Sequence, residues 1–340
     1  MSNLEKLRKQ LTKKNFTTKM NDPDAWISTG SALMNFRMTG RFDVGIPNRR
    51  SVLFWGESGT GKTFLTSNAC KAAQDEGYLI VYIDSEESIS EDYMEKIGID
   101  LSPDKFMPIL VDTIEECTAA LSEIWAAFDK DTKFILVVDS LAGLLSEKEL
   151  KEFEAGETKG DMGQTAKKFK LMIKNINKQV AKYDAFCILV THAYQNQDIL
   201  NGQGRWICSG GKGFQFFPSM SIMLEKRKLK EGGEKINGVL IRGEVCKTRF
   251  TAPFQGFELR VPYDSGIEFT DGMLKVLHEE GVVDKTGGWY SYELDGETKK
   301  FQESRFSEHF DSIMELYANK QLVESDEFFD GTEIEEGGDE

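Results

Sequence analysis

Residues Gly56-Glu57-Ser58-Gly59-Thr60-Gly61-Lys62-Thr63 read G-x-x-x-x-G-K-T, directly after the apolar run SVLFW and before a helical segment. No other feature constrains the chain as much, because this pattern between a strand and a helix is the setting a phosphate-binding loop requires. The glycines let successive N–H groups turn inward onto phosphate oxygens, and the helix start adds positive potential. A lysine at position 62 spans the β and γ phosphates, and a hydroxyl at position 63 binds Mg²⁺. The competing reading is a glycine-rich turn with no ligand, which the strand and helix on either side disfavour.

The rest of the chain repeats that setting. SVLFW, YLIVYID, KFILVVD and AFCILVTH are short apolar runs ending in polar or small residues, and they read as buried parallel strands. Helical segments lie between them: one after Lys62, one over Ser90–Ile97 stopped by Gly98, and one to Phe128 that starts at the capping pair Thr113 and Glu116. Strand and helix in alternation predict a doubly wound α/β sheet with ligands at the carboxyl ends of its strands. Farther on, SMSIML and VLIRGEVCK alternate as strands, GGWYSYELDGETKKF reads as a hairpin around Asp295-Gly296, and Phe306–Asn319 as a helix.

Three strand ends carry chemistry. FILVVD ends in Asp139, followed by Ser140, which places a carboxylate where it reaches the Mg²⁺ shell through water, across from Thr63. YLIVYID runs into Asp84-Ser85-Glu86-Glu87, where a carboxylate either orients an attacking water or belongs to a solvated acidic turn. AFCILVTH ends in His192, either a sensor of the γ-phosphate or a satisfied edge histidine.

Charge bears on partners. The net charge is -15, which read as a whole argues against nucleic acid. It is unevenly spread, however: residues 1–20 carry six basic side chains against Glu5, and residues 324–340 carry nine acids and no base. That acidic end is expected to be an unfolded tail, which either solubilises the chain or competes with DNA for basic surface or contacts a partner protein. Leu4, Leu7 and Leu11 at helical spacing predict an N-terminal helix that packs on the main domain or on a neighbouring subunit, or frays. Lys167, Lys168, Lys170, Lys174, Lys178 and Lys182 share a helical segment, as a solvated face or a nucleic-acid track. Residues 193–213 form a long glycine-containing loop with Tyr194, Arg205, Trp206 and Lys212, suited to stacking and close approach to phosphates. No apolar run reaches the roughly 20 residues of a membrane span, the N-terminal stretch has no apolar signal core, and the five scattered cysteines fit a reduced, cytoplasmic setting.

Taken together these segments resemble the RecA recombinase family, most closely its phage, UvsX-like branch of strand-exchange proteins. Ile27-Ser28-Thr29-Gly30-Ser31 with Gly45-Ile46-Pro47, the phosphate loop, Asp84-Ser85-Glu86 and Val138-Asp139-Ser140 follow in the family's order, over about residues 27–285. Met162-Gly163 is similar to the first DNA-binding loop, and residues 193–213 with Ser209-Gly210-Gly211 to the second. Lys247-Thr248-Arg249-Phe250-Thr251-Ala252-Pro253-Phe254 resembles the segment whose cations reach the nucleotide of the adjacent protomer, and Gly287-Gly288-Trp289-Tyr290 is particular to the phage branch. The resemblance implies that Glu86 activates water and that Tyr93 and Ser90 contact adenine. It also implies that His192 senses the γ-phosphate and that Lys247 and Arg249 act in trans. DNA contacts are expected at Met162, Gly163, Arg205, Trp206, Gly210, Gly211 and Lys212. Two departures stand out: Thr191-His192 where bacterial members have glutamine, and Ser90 in place of a common acidic adenine contact.

The expectation is therefore a RecA-like P-loop ATPase core over 27–270, preceded by an N-terminal arm at 1–26 and followed by an α+β extension at 271–323 and an acidic tail at 324–340. Its expected activity is ATP- and Mg²⁺-dependent filament formation on single-stranded DNA and pairing with homologous duplex, with single-strand-binding and loader or mediator proteins as further partners and no membrane. The alternatives are a ring-forming helicase or motor, for which only about 25 residues ahead of the core leave little scaffold, and an ATP-gated regulator of another recombinase.

Overall fold

The apolar runs pair into one large sheet. A computed structural model describes residues 2–14, 20–157, 163–196, 206–210, 212–230 and 236–330, and the chain divides into two compact units, residues 1–268 and 269–340.

In the first unit the elements are α1 (Asn3–Lys13), β1 (Trp26–Ile27), α2 (Ala32–Thr39), β2 (Ile46–Pro47), β3 (Ser51–Gly56), α3 (Lys62–Asp75), β4 (Leu79–Asp84), α4 (Glu91–Ile97), β5 (Phe106–Leu110), α5 (Ile114–Ala127), β6 (Phe134–Asp139), α6 (Glu147–Glu154), α7 (Gln164–Lys182), β7 (Phe186–Gln195), β8 (Trp206–Cys208), α8 (Lys212–Phe216), β9 (Met220–Lys230), β10 (Ile236–Lys247) and β11 (Gln255–Pro262). The main sheet runs β11-β10-β9-β3-β7-β6-β4-β5, with β8 paired to β7. From β9 to β5 the pairings are parallel; β9, β10 and β11 pair antiparallel.

Strand side chains alternate between two buried faces. Leu53, Val81, Ile83, Leu136, Val138 and Leu189 pack with Ile114, Leu121 and Ile124 of α5 and Phe169, Ile173 and Ile176 of α7. The intervening Phe54, Tyr82, Val137 and Ile188 are also fully buried and face the other way, the side on which α3 meets β4 and β6. A fully buried side chain of this size contributes roughly 1.5–3 kcal/mol, so the strand ends that carry the functional residues are held firmly.

Helix ends follow their capping residues. Thr113 and Glu116 form the reciprocal cap of α5, and Ser90 caps α4, which Gly98 ends at φ 91°. On α7 the buried stripe is Phe169, Met172, Ile173, Ile176 and Val180; Lys167, Lys170, Lys174, Lys178 and Lys182 lie on the exposed side, and Lys168 pairs with Glu115 of α5. No residue of α1 is buried.

Some elements differ from the sequence reading. Residues 193–195 are not loop but continue β7, and Trp206–Cys208 return antiparallel beside them, with Ala193 opposite Cys208 and Gln195 opposite Trp206. Extending an existing strand by a backbone ladder needs no period in the side chains, so nothing in composition marks it. Strand β5 carries Pro108 and sits at the end of the sheet order, where a missing N–H donor is tolerated. Helix α2 is buried at nearly every residue and so lacks an amphipathic period.

The second unit holds α9 (Met273–Glu279), the antiparallel sheet β12 (Asp284–Thr286), β13 (Trp289–Leu294) and β14 (Glu297–Gln302), and α10 (Phe306–Asp330). Asp295 and Gly296, at φ 53° and 77°, make the tight turn between β13 and β14. Tyr292 and Phe301 pack on His309, whose Nδ1 lies 3.0 Å from the Tyr292 hydroxyl. Helix α10 runs past Asn319 and past the expected start of the tail at 324, because no glycine or proline interrupts it before Gly331. Residues 331–340 of that tail lie outside the described residues.

Candidate active site

The phosphate loop leaves the centre of the sheet. Gly56 ends β3 between His192 of β7 and Leu224 of β9. A Cβ at Gly56 would sit 2.2 Å from the Leu224 carbonyl oxygen, so only glycine admits that approach. Gly61, at φ 92°, turns the chain into α3. Lys62 is 6% exposed and its ammonium donates to the carbonyls of Gly56, at 3.1 Å, and Glu57, at 2.8 Å. Burial pushes that ammonium's pKa down, against the pull of the Asp139 and Glu86 carboxylates. A buried cation held by loop carbonyls at the start of a helix is suited to a phosphate anion.

Asp139 is 2% exposed, and its Oδ2 accepts the hydroxyls of Thr63 and Tyr82, each at 2.8 Å. Burial raises its carboxyl pKa, and those two hydrogen bonds only partly offset the effect. A hydroxyl and a carboxylate in contact are hard oxygen donors of the kind that hold Mg²⁺ with phosphate and water completing its shell. The residues present therefore fit a Mg²⁺–nucleotide. Tyr82 was not marked by the sequence, since its place at Asp139 comes from the pairing of β4 with β6.

Glu86 lies beside this pair. Its Oε1 accepts the Ser140 hydroxyl and meets His192 Nε2 at 2.7 Å. Burial alone would raise its carboxyl pKa; the hydrogen bonds from Ser140 and His192 outweigh burial and hold it low. It is thus a carboxylate that accepts only, so His192 Nε2 carries the shared proton. Ser85 supports the arrangement from behind: its hydroxyl donates to the Ser140 carbonyl at 2.6 Å and accepts the Ser140 amide at 3.0 Å. The peptide bond between Asp139 and Ser140 is cis. The His192 carbonyl accepts the amide of Ser209, just beyond β8, at 2.8 Å.

Ser90 caps α4 and Tyr93 stands on it, and α4 packs on α3. The Ser90 hydroxyl accepts the Tyr93 amide at 3.3 Å, and burial pushes the Tyr93 phenol up to about 12. Lys247 and Arg249 are not brought to the loop of their own chain. Lys247 pairs with Ser221, and Ser221 with Leu53, three residues down the strand from Gly56, or about 10 Å. There the Lys247 ammonium donates to the carbonyls of Phe216 and Pro218, and burial, with the nearby Arg249, pushes its pKa down. Arg249 is exposed.

Of the expected DNA contacts, Met162, Arg205 and Gly211 lie outside the described residues, as does the side chain of Lys212. Gly163 precedes α7 at φ 76° and Gly210 follows β8 at φ 85°. The Trp206 indole N–H donates to Glu225 of β9 and borders a cavity of about 480 Å³ that Trp55, Met223, Phe216 and Cys246 also line. A further residue unmarked by the sequence is Lys226, the next on β9, whose ammonium donates to the Ser58 carbonyl in the phosphate loop at 3.3 Å.

Residues 2–268 match the family described as RecA N-terminal domain. The chain is similar to the protein RecA of Chlorobium chlorochromatii, 27% identical over 266 residues that cover 78% of this chain and 72% of that protein. It is likewise 27% identical to the protein RecA of Chloroherpeton thalassium over 269 residues, 79% of this chain and 72% of that one. With the protein RecA of Chlorobium limicola it shares 27% over 266 residues, 78% and 73% of the two chains.

Proposed function

From the premise that this chain belongs to the RecA family, we propose that it is an ATP-dependent recombinase whose hydrolysis is switched on by assembly on single-stranded DNA, and which pairs that strand with a homologous duplex. The observation that carries this reading is the double attachment of His192: its ring meets Glu86 at the phosphate loop, and its carbonyl holds Ser209 at the base of the 193–213 segment. A change at the nucleotide is thereby felt where DNA is expected.

In this reading Lys62 exchanges the carbonyls of Gly56 and Glu57 for the β and γ phosphates of ATP, and the amides of residues 57–63 close around them. Thr63 and Asp139 would hold Mg²⁺, which when bound would supply positive charge against that developing on the phosphates. Glu86, kept ionised by Ser140 and His192, orients the attacking water and takes its proton. Ser90 and Tyr93 border the adenine. Lys247 and Arg249, remote from their own loop, complete the site of a neighbouring protomer, so that turnover depends on assembly. The exposed stripe of α1 is available to the same self-association. The phage-branch affinity rests on His192 and on Gly287–Tyr290.

The test is joint-molecule formation between single-stranded DNA and homologous duplex. The parent chain forms joint molecules only with Mg²⁺ and ATP, and Lys62→Ala forms none. Failure of the parent, or activity that persists in Lys62→Ala, would contradict the reading.

A further inference from the structure

Three successive carbonyls of the phosphate loop each receive a lysine ammonium. Lys62 takes those of Gly56 and Glu57, and Lys226 takes that of Ser58. Only Lys62 belongs to the loop's own motif. Lys226 arrives from β9, two residues past Leu224, the partner of Gly56, where β9 overruns the end of β3. It is exposed rather than packed, and it crosses close over the loop: a Cβ on Gly59 would lie 2.6 Å from its Nζ. Two cations crowd one short loop, Lys62 on the carbonyls of Gly56 and Glu57 and Lys226 on that of Ser58. Like charges so placed repel each other and are reconciled by an anion between them.

We propose that Lys226 is a second phosphate-binding cation supplied by the same chain, which leaves the Ser58 carbonyl for the terminal phosphates of a nucleoside triphosphate. This rests on the nucleotide reading above and extends it, because the cation comes from a strand outside the motif and needs no neighbouring protomer. Lys226 thus acts on binding in the dispersed chain, whereas Lys247 and Arg249 act only on assembly.

The experiment is a calorimetric titration of the full chain with Mg²⁺ and ATPγS, without DNA. Lys226→Ala is expected to weaken binding about tenfold, the worth of one charge-assisted hydrogen bond. Lys226→Arg, which restores the charge, is expected to stay within about twofold of the parent. Unchanged or tighter binding in Lys226→Ala would overturn the proposal and make the lysine a clamp on the empty loop. Equal losses in the alanine and arginine variants would also overturn it, as a structural effect. Should Lys226→Ala melt below the parent, Lys226→Gln, which keeps most of the stem, is read in the same titration with the same expected loss. Lys62→Ala separates the two readings: if it binds as the parent does, the nucleotide reading fails and takes this inference with it, whereas loss at Lys62 with none at Lys226 overturns the inference alone.

Discussion

His192 Nε2 lies 2.7 Å from Glu86 Oε1, across 106 residues of sequence, and donates its proton to that carboxylate. The histidine therefore restrains Glu86, the carboxylate proposed to act on water, at the strand end that leads into the segment expected to meet DNA. Removing the ring frees Glu86 without deleting it. His192→Ala is expected to bind Mg²⁺–ATP within about twofold of the parent while losing most of the rise in hydrolysis that single-stranded DNA produces. Glu86→Gln is expected to lower hydrolysis itself by about 10²–10⁴-fold, the usual worth of a general base. Steady-state hydrolysis with and without DNA separates the two variants.

Asp139 sets function against stability. Burial raises its folded-state pKa above the ordinary value, so the ionised form costs folding free energy at neutral pH, and the cost is relieved as pH falls through the folded-state value. Both hydroxyl donors reach the same oxygen, Oδ2, which an amide oxygen can replace. Asp139→Asn should therefore raise the stability of the nucleotide-free chain by roughly 1 kcal/mol, most at pH 7 and less toward acid, while hydrolysis falls below detection. Thermal melts across pH check the first part and an ATPase assay the second.

Lys247 lies about 10 Å down the strands from the loop of its own chain, and Arg249 follows two residues later, beyond the end of β10. The double variant Lys247→Ala, Arg249→Ala is expected to bind ATPγS as the parent does when dilute and without DNA, and to lose DNA-stimulated turnover. Normal stimulated turnover in that variant would end the assignment of these cations to a neighbouring site.

Gly143 leaves room for Ser85 and Glu86. A Cβ there would fall 2.5 Å from Ser85 Oγ and 3.1 Å from Glu86 Cγ. Gly143→Ala should displace both side chains, lowering kcat about tenfold or more with KM for ATP little changed, since misplacing a reacting group costs rate rather than binding. Initial-rate kinetics over a range of ATP concentrations reads the split.

The parts legible in the sequence were those written in consecutive residues. The loop from Gly56 to Thr63, the strand ending at Asp139 and the turn at Asp295-Gly296 each carry their meaning within a few positions. The parts hidden from it are made by register. Tyr82 reaches Asp139 because β4 and β6 align, and Lys226 reaches Ser58 because β9 outruns β3; nothing local to either residue marks those contacts. The sequence left Glu86 open between a solvated turn and a water-orienting group, and His192 between a sensor and an edge residue. The geometry brings the two together with Ser140. Strand β5 was obscured by Pro108, helix α2 by burial all round, and the length of α10 by acidic residues that read as a tail.

The most direct test of the account is steady-state ATP hydrolysis with Mg²⁺, measured with and without single-stranded DNA across protein concentration. The account predicts little turnover without DNA and strong stimulation on DNA that rises cooperatively with protein, as sites are completed between protomers. Hydrolysis at the same rate per protomer with or without DNA and at every concentration would contradict it.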